Sequence, residues 1–233
     1  MAEVDTYRGR VAEKNWKPRN CVWEITRACN LRCGHCGSSA GRCRDQELST
    51  AECLDVVDQL AQMGCELITL SGGEPTLRKD WDRIARAVAR HDIRVNMVTN
   101  GVYGGRSAAR EVGRRARDAG MCNVGVSVDG PPAQHEALRG PETFGRTLRA
   151  IETLAGDGLS VGVMTTVNRH NLPHLEQVRR LAIEAGASMW RLQLAKPMGS
   201  MVALRDWTLR PRDLLELVPR LAALKRQRGI NLQ

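Results

Sequence analysis

Val22-Trp23-Glu24-Ile25-Thr26 runs directly into Arg27-Ala28-Cys29-Asn30-Leu31-Arg32-Cys33-Gly34-His35-Cys36, a mostly apolar run followed at once by three cysteines within eight positions. The run reads as a strand, and the cysteines as the loop at its carboxyl end. In parallel sheets and barrels ligands gather at that end. Three thiols so close together can converge on one metal centre, and two chemistries fit. A structural zinc wants a fourth donor to complete its tetrahedron, and His35, Cys21 or Cys43 could serve. A 4Fe-4S cubane normally takes four thiolates, so one that receives three keeps an iron open to an outside ligand.

Working outward, five more short apolar runs follow: Glu66 to Leu70, Ile93 to Val98, Asn123 to Val128, Ser160 to Val167 and Met189 to Leu194. Runs of this kind suit strands covered on both faces. Amphipathic stretches separate them. Ser49 with Glu52 predicts a capping box, followed by an apolar stripe of Leu54, Val57, Leu60 and Ala61 and a stop at Gly64. Asp80 is placed to cap a second helix with the stripe Trp81, Ile84, Ala85 and Val88. A third helix is expected near Ser107 to Ala119, and Phe144, Leu148, Ile151 and Leu154 mark a fourth. Pro173 opens a fifth, with Leu175, Val178, Leu181 and Ala182 as its stripe and Gly186 at its end. The sixth, Pro211 to Arg228, is expected to kink at Pro219. Six βα units in strict alternation imply an α/β fold, a partial (β/α)6 TIM-like barrel with parallel strands inside and helices outside. Residues 1–20 read as an N-terminal extension and residues 21–233 as one core domain.

The chain's 233 residues can bury a real core without disulfides. No signal peptide precedes its eight cysteines, and no apolar run approaches the roughly 20 residues that span a bilayer. A cytoplasmic, reducing setting is expected, where clustered cysteines usually mean metal or redox chemistry. The net charge of +9 comes mostly from arginines spread over nearly every expected helix, and aromatics are only 3% of residues. Neither a basic stripe nor a stacking platform is visible, so nucleic acid is not an expected partner.

A second motif joins the first. Ser71-Gly72-Gly73-Glu74-Pro75 follows the second strand, with Gly72 thirty-six positions beyond Cys36. Cys29, Cys33, His35 and Cys36 match Cys-x-x-x-Cys-x-aromatic-Cys, and together with the Gly-Gly-Glu-Pro segment the chain resembles the radical S-adenosylmethionine superfamily. The likeness runs from about Cys21 to about Arg228 and is nearest the branch that usually carries a C-terminal SPASM extension. Thr99-Asn100-Gly101, Ser127-Val128-Asp129-Gly130, and His135 through Leu138-Arg139-Gly140 to Phe144 all look like that branch. No cysteine follows Cys122, so auxiliary clusters of the SPASM kind are not expected from this chain.

The resemblance implies one 4Fe-4S cluster on Cys29, Cys33 and Cys36, with S-adenosylmethionine on its open iron. One electron then cleaves the sulfonium to methionine and a 5′-deoxyadenosyl radical, which takes a hydrogen atom from a substrate. It places Gly72, Gly73 and Glu74 at the methionine amino group, Ser127 and Arg139 at its carboxylate, and the His35 loop at adenine, with Asn168 and Gln193 as further, less specific contacts. The substrate is expected to be a peptide or protein side chain, or a small molecule. A ferredoxin or flavodoxin would supply electrons. Two alternatives stand beside this: an enzyme of cofactor or haem-precursor biosynthesis, and a zinc- or cluster-stabilised binding module. Cys53 and Cys65 read as small buried hydrophobes, and Cys43, among arginines, as a reactive thiol. The barrel alone is expected to cleave S-adenosylmethionine but to modify its natural substrate poorly, because sequence beyond the sixth helix closes the mouth in relatives of this type.

Overall fold

Strands and helices alternate along residues 17–233, which the computed structural model describes. Seven strands, β1 (Asn20–Glu24), β2 (Leu67–Ser71), β3 (Arg94–Thr99), β4 (Asn123–Ser127), β5 (Val161–Val167), β6 (Met189–Leu194) and β7 (Asn231–Leu232), form one sheet. All pairings are parallel, and the spatial order is the chain order, β1 to β7. Every strand therefore has its carboxyl end on the same rim, where the cysteine loop and the Gly-Gly segment leave the sheet.

Seven helices lie between the strands among the described residues: α1 (Thr50–Gln62), α2 (Trp81–Arg90), α3 (Arg106–Asp118), α4 (Pro132–Arg139), α5 (Thr143–Gly156), α6 (Leu175–Glu184) and α7 (Leu214–Arg226). The core is what alternation demands. Ile68, Leu70, Val95, Met97, Val124, Val126 and Val163 from the strands are fully buried, as are Trp81, Ile84, Ile151, Leu154, Leu175 and Val178 from the helices. Burying one such side chain contributes roughly 1.5–3 kcal/mol, so the helices are held on mainly by their stripes. No helix among the described residues is long and apolar enough to cross a membrane.

Ser49 caps α1 as expected, its side chain accepting from Glu52 N while the Glu52 carboxylate takes Ser49 N. Several expectations are corrected. The face that α1 buries completely is Cys53 and Val57, with Leu54, Leu60 and Ala61 half-buried. Asp80 precedes α2 but does not cap it with its side chain; the carboxylate instead binds Arg78 Nε (2.8 Å), Arg78 Nη2 (3.0 Å) and Thr50 Oγ1 (2.6 Å). The guanidinium of Arg78, two residues away, outcompetes neutral backbone N–H groups for that charge. β1 starts at Asn20, inside the supposed extension, because its register is set from Asn20↔Leu67 to Glu24↔Ser71. Residues 1–16 of that extension lie outside the described residues. The sheet has seven strands rather than six, since Asn231 and Leu232 pair with Met189 and Trp190. α4 is an addition to the six expected helices, and the proline at its first position is a helix start signal. α7 (Leu214–Arg226), preceded by a 3-10 turn at Pro211–Asp213, carries Pro219 within it.

Candidate active site

The loop after β1 is closed at its base. Cys29 N donates to Gly41 O (3.0 Å), Gly41 N donates to Arg27 O (2.9 Å), and Arg27 Nη2 reaches Ser38 O (2.7 Å) and Ser39 O (2.9 Å). Three further elements grip it from outside. Gly34 N donates to Leu138 O in α4 (2.8 Å), and Ser200 N, in the 3-10 segment Gly199–Trp207, donates to Cys36 O (2.9 Å). The third is the Gly-Gly segment after β2. Gly73 N donates to Thr26 O (2.8 Å) and Glu74 N to Ala28 O (2.7 Å).

The two glycines are sterically required here. A Cβ on Gly72 would lie 2.2 Å from Thr26 O, and one on Gly73 would lie 2.2 Å from Ala28 O. Both obstacles are backbone, so no side-chain motion relieves them. The close approach that needs glycine is thus first of all to the cysteine loop itself. Gly199 makes the same kind of contact from the other side, with a φ of 57° and a would-be Cβ 2.3 Å from Cys36 O.

A cavity of about 610 Å3 opens at the carboxyl rim of the sheet, with Cys29, Cys33 and Cys36 in its walls. Of the eight side chains or glycines expected to meet the cofactor, six line it: His35, Gly72, Gly73, Ser127, Arg139 and Gln193. Glu74 and Asn168 do not. Glu74 is 1% exposed and its carboxylate is already engaged: Oε1 takes Thr76 Oγ1 (2.5 Å) and Thr99 Oγ1 (2.8 Å), and Oε2 takes Asn100 N (2.8 Å). Burial pushes its carboxyl above the usual carboxylate range against the pull of those donors. Its position ties the β2 loop to the β3 loop. Asn168 is also buried, and its Oδ1 accepts from His170 N (2.9 Å) and Asn171 N (3.2 Å), closing a turn after β5.

Two of these wall residues, His35 and Arg139, belong to a charged cluster. Asp129, 0% exposed, binds Arg139 Nε with Oδ2 (2.6 Å), lies 3.2 Å from His35 Nε2 with the same oxygen, and accepts from Thr166 N with Oδ1 (2.8 Å). His135 packs beneath it, its Nδ1 accepting from Asp129 N (3.3 Å). Burial, with the Arg139 charge adding to it, lowers the His135 pKa to about 4.

The donor set fits an iron–sulfur cluster. Leu31 N points at Cys29 Sγ (3.4 Å), Ala40 N at Cys36 Sγ (3.3 Å), and Asn100 Nδ2 approaches Cys29 Sγ (3.9 Å). Such N–H···S contacts stabilise thiolates and tune clusters. Burial pushes the Cys33 thiol up to about 11, so a thiolate there needs a cation, which iron would supply. Among the described residues no three His, Cys, Asp or Glu side chains are grouped to hold a single metal ion. Cys53 and Cys65 are buried, while Cys43 is exposed.

Sequence reasoning passed over the segment after β6. Lys196 and Met198 join the cavity wall and Gly199 locks onto the cysteine loop. Pro197-Met198-Gly199 carried a turn signal, but nothing in it said which loop the turn would meet.

Comparison with known proteins supplies the rest. A model of the Radical SAM superfamily matches residues 23–182. The chain is 36% identical over 203 residues to the mycofactocin maturase MftC of Mycobacterium ulcerans (strain Agy99), covering 80% of this chain and 53% of that protein. It is 37% identical over 185 residues to an AdoMet-dependent heme synthase of Methanosarcina barkeri (strain Fusaro / DSM 804), covering 78% and 52%. The chain thus spans about half the length of the curated relatives it matches. Among solved structures, Streptococcus suis SuiB bound to S-adenosylmethionine superposes with a TM-score of 0.77 at 15% identity, over 99% of this chain and 54% of that one. SuiB bound to the precursor peptide SuiA gives 0.73 at 16%, over 99% and 53%. At such identity the likeness speaks for the fold.

Proposed function

The chain belongs to the radical SAM superfamily, and from that membership we propose that it cleaves S-adenosylmethionine reductively on a 4Fe-4S cluster held by Cys29, Cys33 and Cys36, and so removes a hydrogen atom from a peptide side chain. The observation that carries this reading is the single cavity whose walls combine all three thiols with Gly72, Gly73, Ser127 and Arg139. When bound, the cluster and its cosubstrate would supply the electron transfer and the radical chemistry. The protein's share is position, charge and exclusion of water. The Gly72–Gly73 backbone and the Ser127 hydroxyl offer polar groups to the methionine end. Arg139 offers a guanidinium to its carboxylate, with Asp129 fixing the direction in which that guanidinium points. His35, in the cysteine loop, borders the adenine position. Gln193, donating to Thr166 Oγ1 (3.0 Å), stands on the far wall at the end of β6. Glu74 and Asn168 serve the site by holding its loops.

A peptide substrate is favoured by the likeness to the maturase, and Leu194 and Met198, 47% and 54% exposed in the cavity wall, offer it apolar contacts. The haem-synthase relative, equally similar, favours a porphyrin-like substrate as the second reading. A reducing, cytoplasmic setting goes with either. The test is anaerobic reconstitution with iron and sulfide, then dithionite and S-adenosylmethionine with candidate peptides or porphyrins. About four irons per chain with 5′-deoxyadenosine formed is the expected result. One colourless zinc per chain and no cleavage would replace the enzyme with a binding module.

A further inference from the structure

The cysteine loop has two sides. Its inner side faces the cavity described above. On its outer side, between the loop and the Gly199–Trp207 segment, lies a second cavity of about 630 Å3. Cys33 belongs to the walls of both, and it is the one cysteine of the triad that does. The outer groove is lined by Arg32 and Arg42 together with Ala203 and Leu204, and among the described residues no acidic side chain contributes to it. Both arginines are exposed.

We infer that this outer groove is where a small acidic one-electron carrier protein docks, with Arg42 and Arg32 as its charge contacts and Cys33 as the point nearest the cluster. The inference rests on the proposed reading that Cys29, Cys33 and Cys36 hold a redox cluster. Given that reading, the electron has to enter while the inner cavity holds cosubstrate and substrate, so the inner route is blocked by the molecules the electron serves. Tunnelling falls exponentially with distance, which favours the thinnest wall. Cys33, shared by the two cavities, marks where that wall is a single loop.

Charge agrees with the geometry. Redox encounters use small interfaces and depend on complementary potentials for their speed. A groove that combines two guanidinium groups with alanine and leucine, and no carboxylate among the described residues, offers both charge attraction and an apolar seat. The step transfers one electron: the carrier is oxidised by one, the cluster is reduced by one, and no bond or proton changes at this face.

A second arginine-lined cavity exists, about 310 Å3, between Arg106, Arg146 and Arg149. It has no cysteine in its wall and serves as the internal control.

The experiment uses the iron-loaded 233-residue protein and two reductants, dithionite and an acidic flavodoxin. Binding of oxidised flavodoxin is measured by calorimetry at low and moderate salt. Reduction is followed by stopped-flow as the cluster's visible absorbance bleaches. Arg42→Glu should weaken flavodoxin binding about tenfold at low salt and slow flavodoxin-driven bleaching to match. The effect should shrink as salt screens the contact. Dithionite-driven bleaching should be unchanged. Arg32→Glu combined with Arg42→Glu should lose more. Because Arg32 Nη1 also donates to Cys29 O (2.9 Å), iron is counted in the double variant, and the single variant decides if iron is lost. The control Arg106→Glu with Arg149→Glu should behave as wild type. Unchanged flavodoxin affinity and bleaching in Arg42→Glu, or an equal loss in the control, overturns the assignment. If no variant or wild type holds iron that dithionite can reduce, the proposed function itself fails and takes this inference with it.

Discussion

Asp129 Oδ2 lies 2.6 Å from Arg139 Nε, and the two side chains are 0% and 9% exposed. This ion pair joins the loop after β4 to the end of α4 at the cavity wall, which Arg139 lines. Burial opposes the Asp129 charge, but Arg139 and His35 outweigh it and hold the carboxyl well below the usual range. Removing one partner strands the other in a dry site. Asp129→Ala should therefore cost about 3–5 kcal/mol of stability, the usual penalty for breaking a buried pair, read from denaturant midpoints. A cost under about 1 kcal/mol would mean that water reaches the pair.

The same pair bears on cosubstrate binding. Arg139→Ala should weaken S-adenosylmethionine binding about ten- to a hundredfold, the loss of one charge-assisted hydrogen bond, with iron content intact. Asp129→Asn keeps Arg139 but unfixes it, and about a tenfold loss is expected there, as for other groups that orient a binding residue. Equilibrium titration decides. Full affinity in Asp129→Asn would show that Arg139 needs no orienting partner.

His135 should make stability depend on pH. Its folded pKa of about 4 lies below the ordinary unfolded value of 6.5, so between these the unfolded chain binds the extra proton. Stability is thus fully present above about pH 6.5 and falls as pH drops toward 4, by roughly 3 kcal/mol in all. The groups facing it are Arg139, Asp129 and His35. Asp129 adds no slope in this window, because its contribution is lost only below the unfolded carboxylate value near 3.9. His135→Phe should flatten the profile while costing about 1–3 kcal/mol for the orphaned Asp129 N–H. Persistence of the slope in that variant would assign it elsewhere.

Gly72→Ala and Gly73→Ala should each lose cluster and stability together, because the added Cβ would meet backbone oxygen at 2.2 Å. Gly156, with nothing within 4 Å of its would-be Cβ, is the contrast. At this last residue of α5 alanine should be neutral or stabilise by up to about 1 kcal/mol. Iron analysis and thermal melts compare the three.

Alanine at Cys29, Cys33 or Cys36 should abolish iron binding, whereas Cys53→Ala and Cys65→Ala should retain it with a modest stability loss. Equal iron loss in Cys53→Ala would break the assignment of the triad.

Which parts were legible in the sequence follows from the range of the forces involved. Ser49 and Glu52 announce α1 because a capping box is made within four residues. The strand-end position of the cysteines is equally local. Glu74, by contrast, meets Thr99 and Asn100, and its sealed position follows from how β2 and β3 pair. The grip of Gly199 on Cys36 and of Leu138 on Gly34 also depends on distant packing. β7 is two residues long, too short for any periodicity to show.

The cysteine triad is compact in sequence, but its clamps are not. Gly34 is held by Leu138 and Cys36 by Ser200, partners that leave the ribosome long after the thiols do. During synthesis the three cysteines therefore emerge before the segments that clamp their loop exist. Long-range closure of this kind is the slow part of folding. The socket for iron is therefore complete only once the Gly199–Trp207 segment has been made and has closed on the loop.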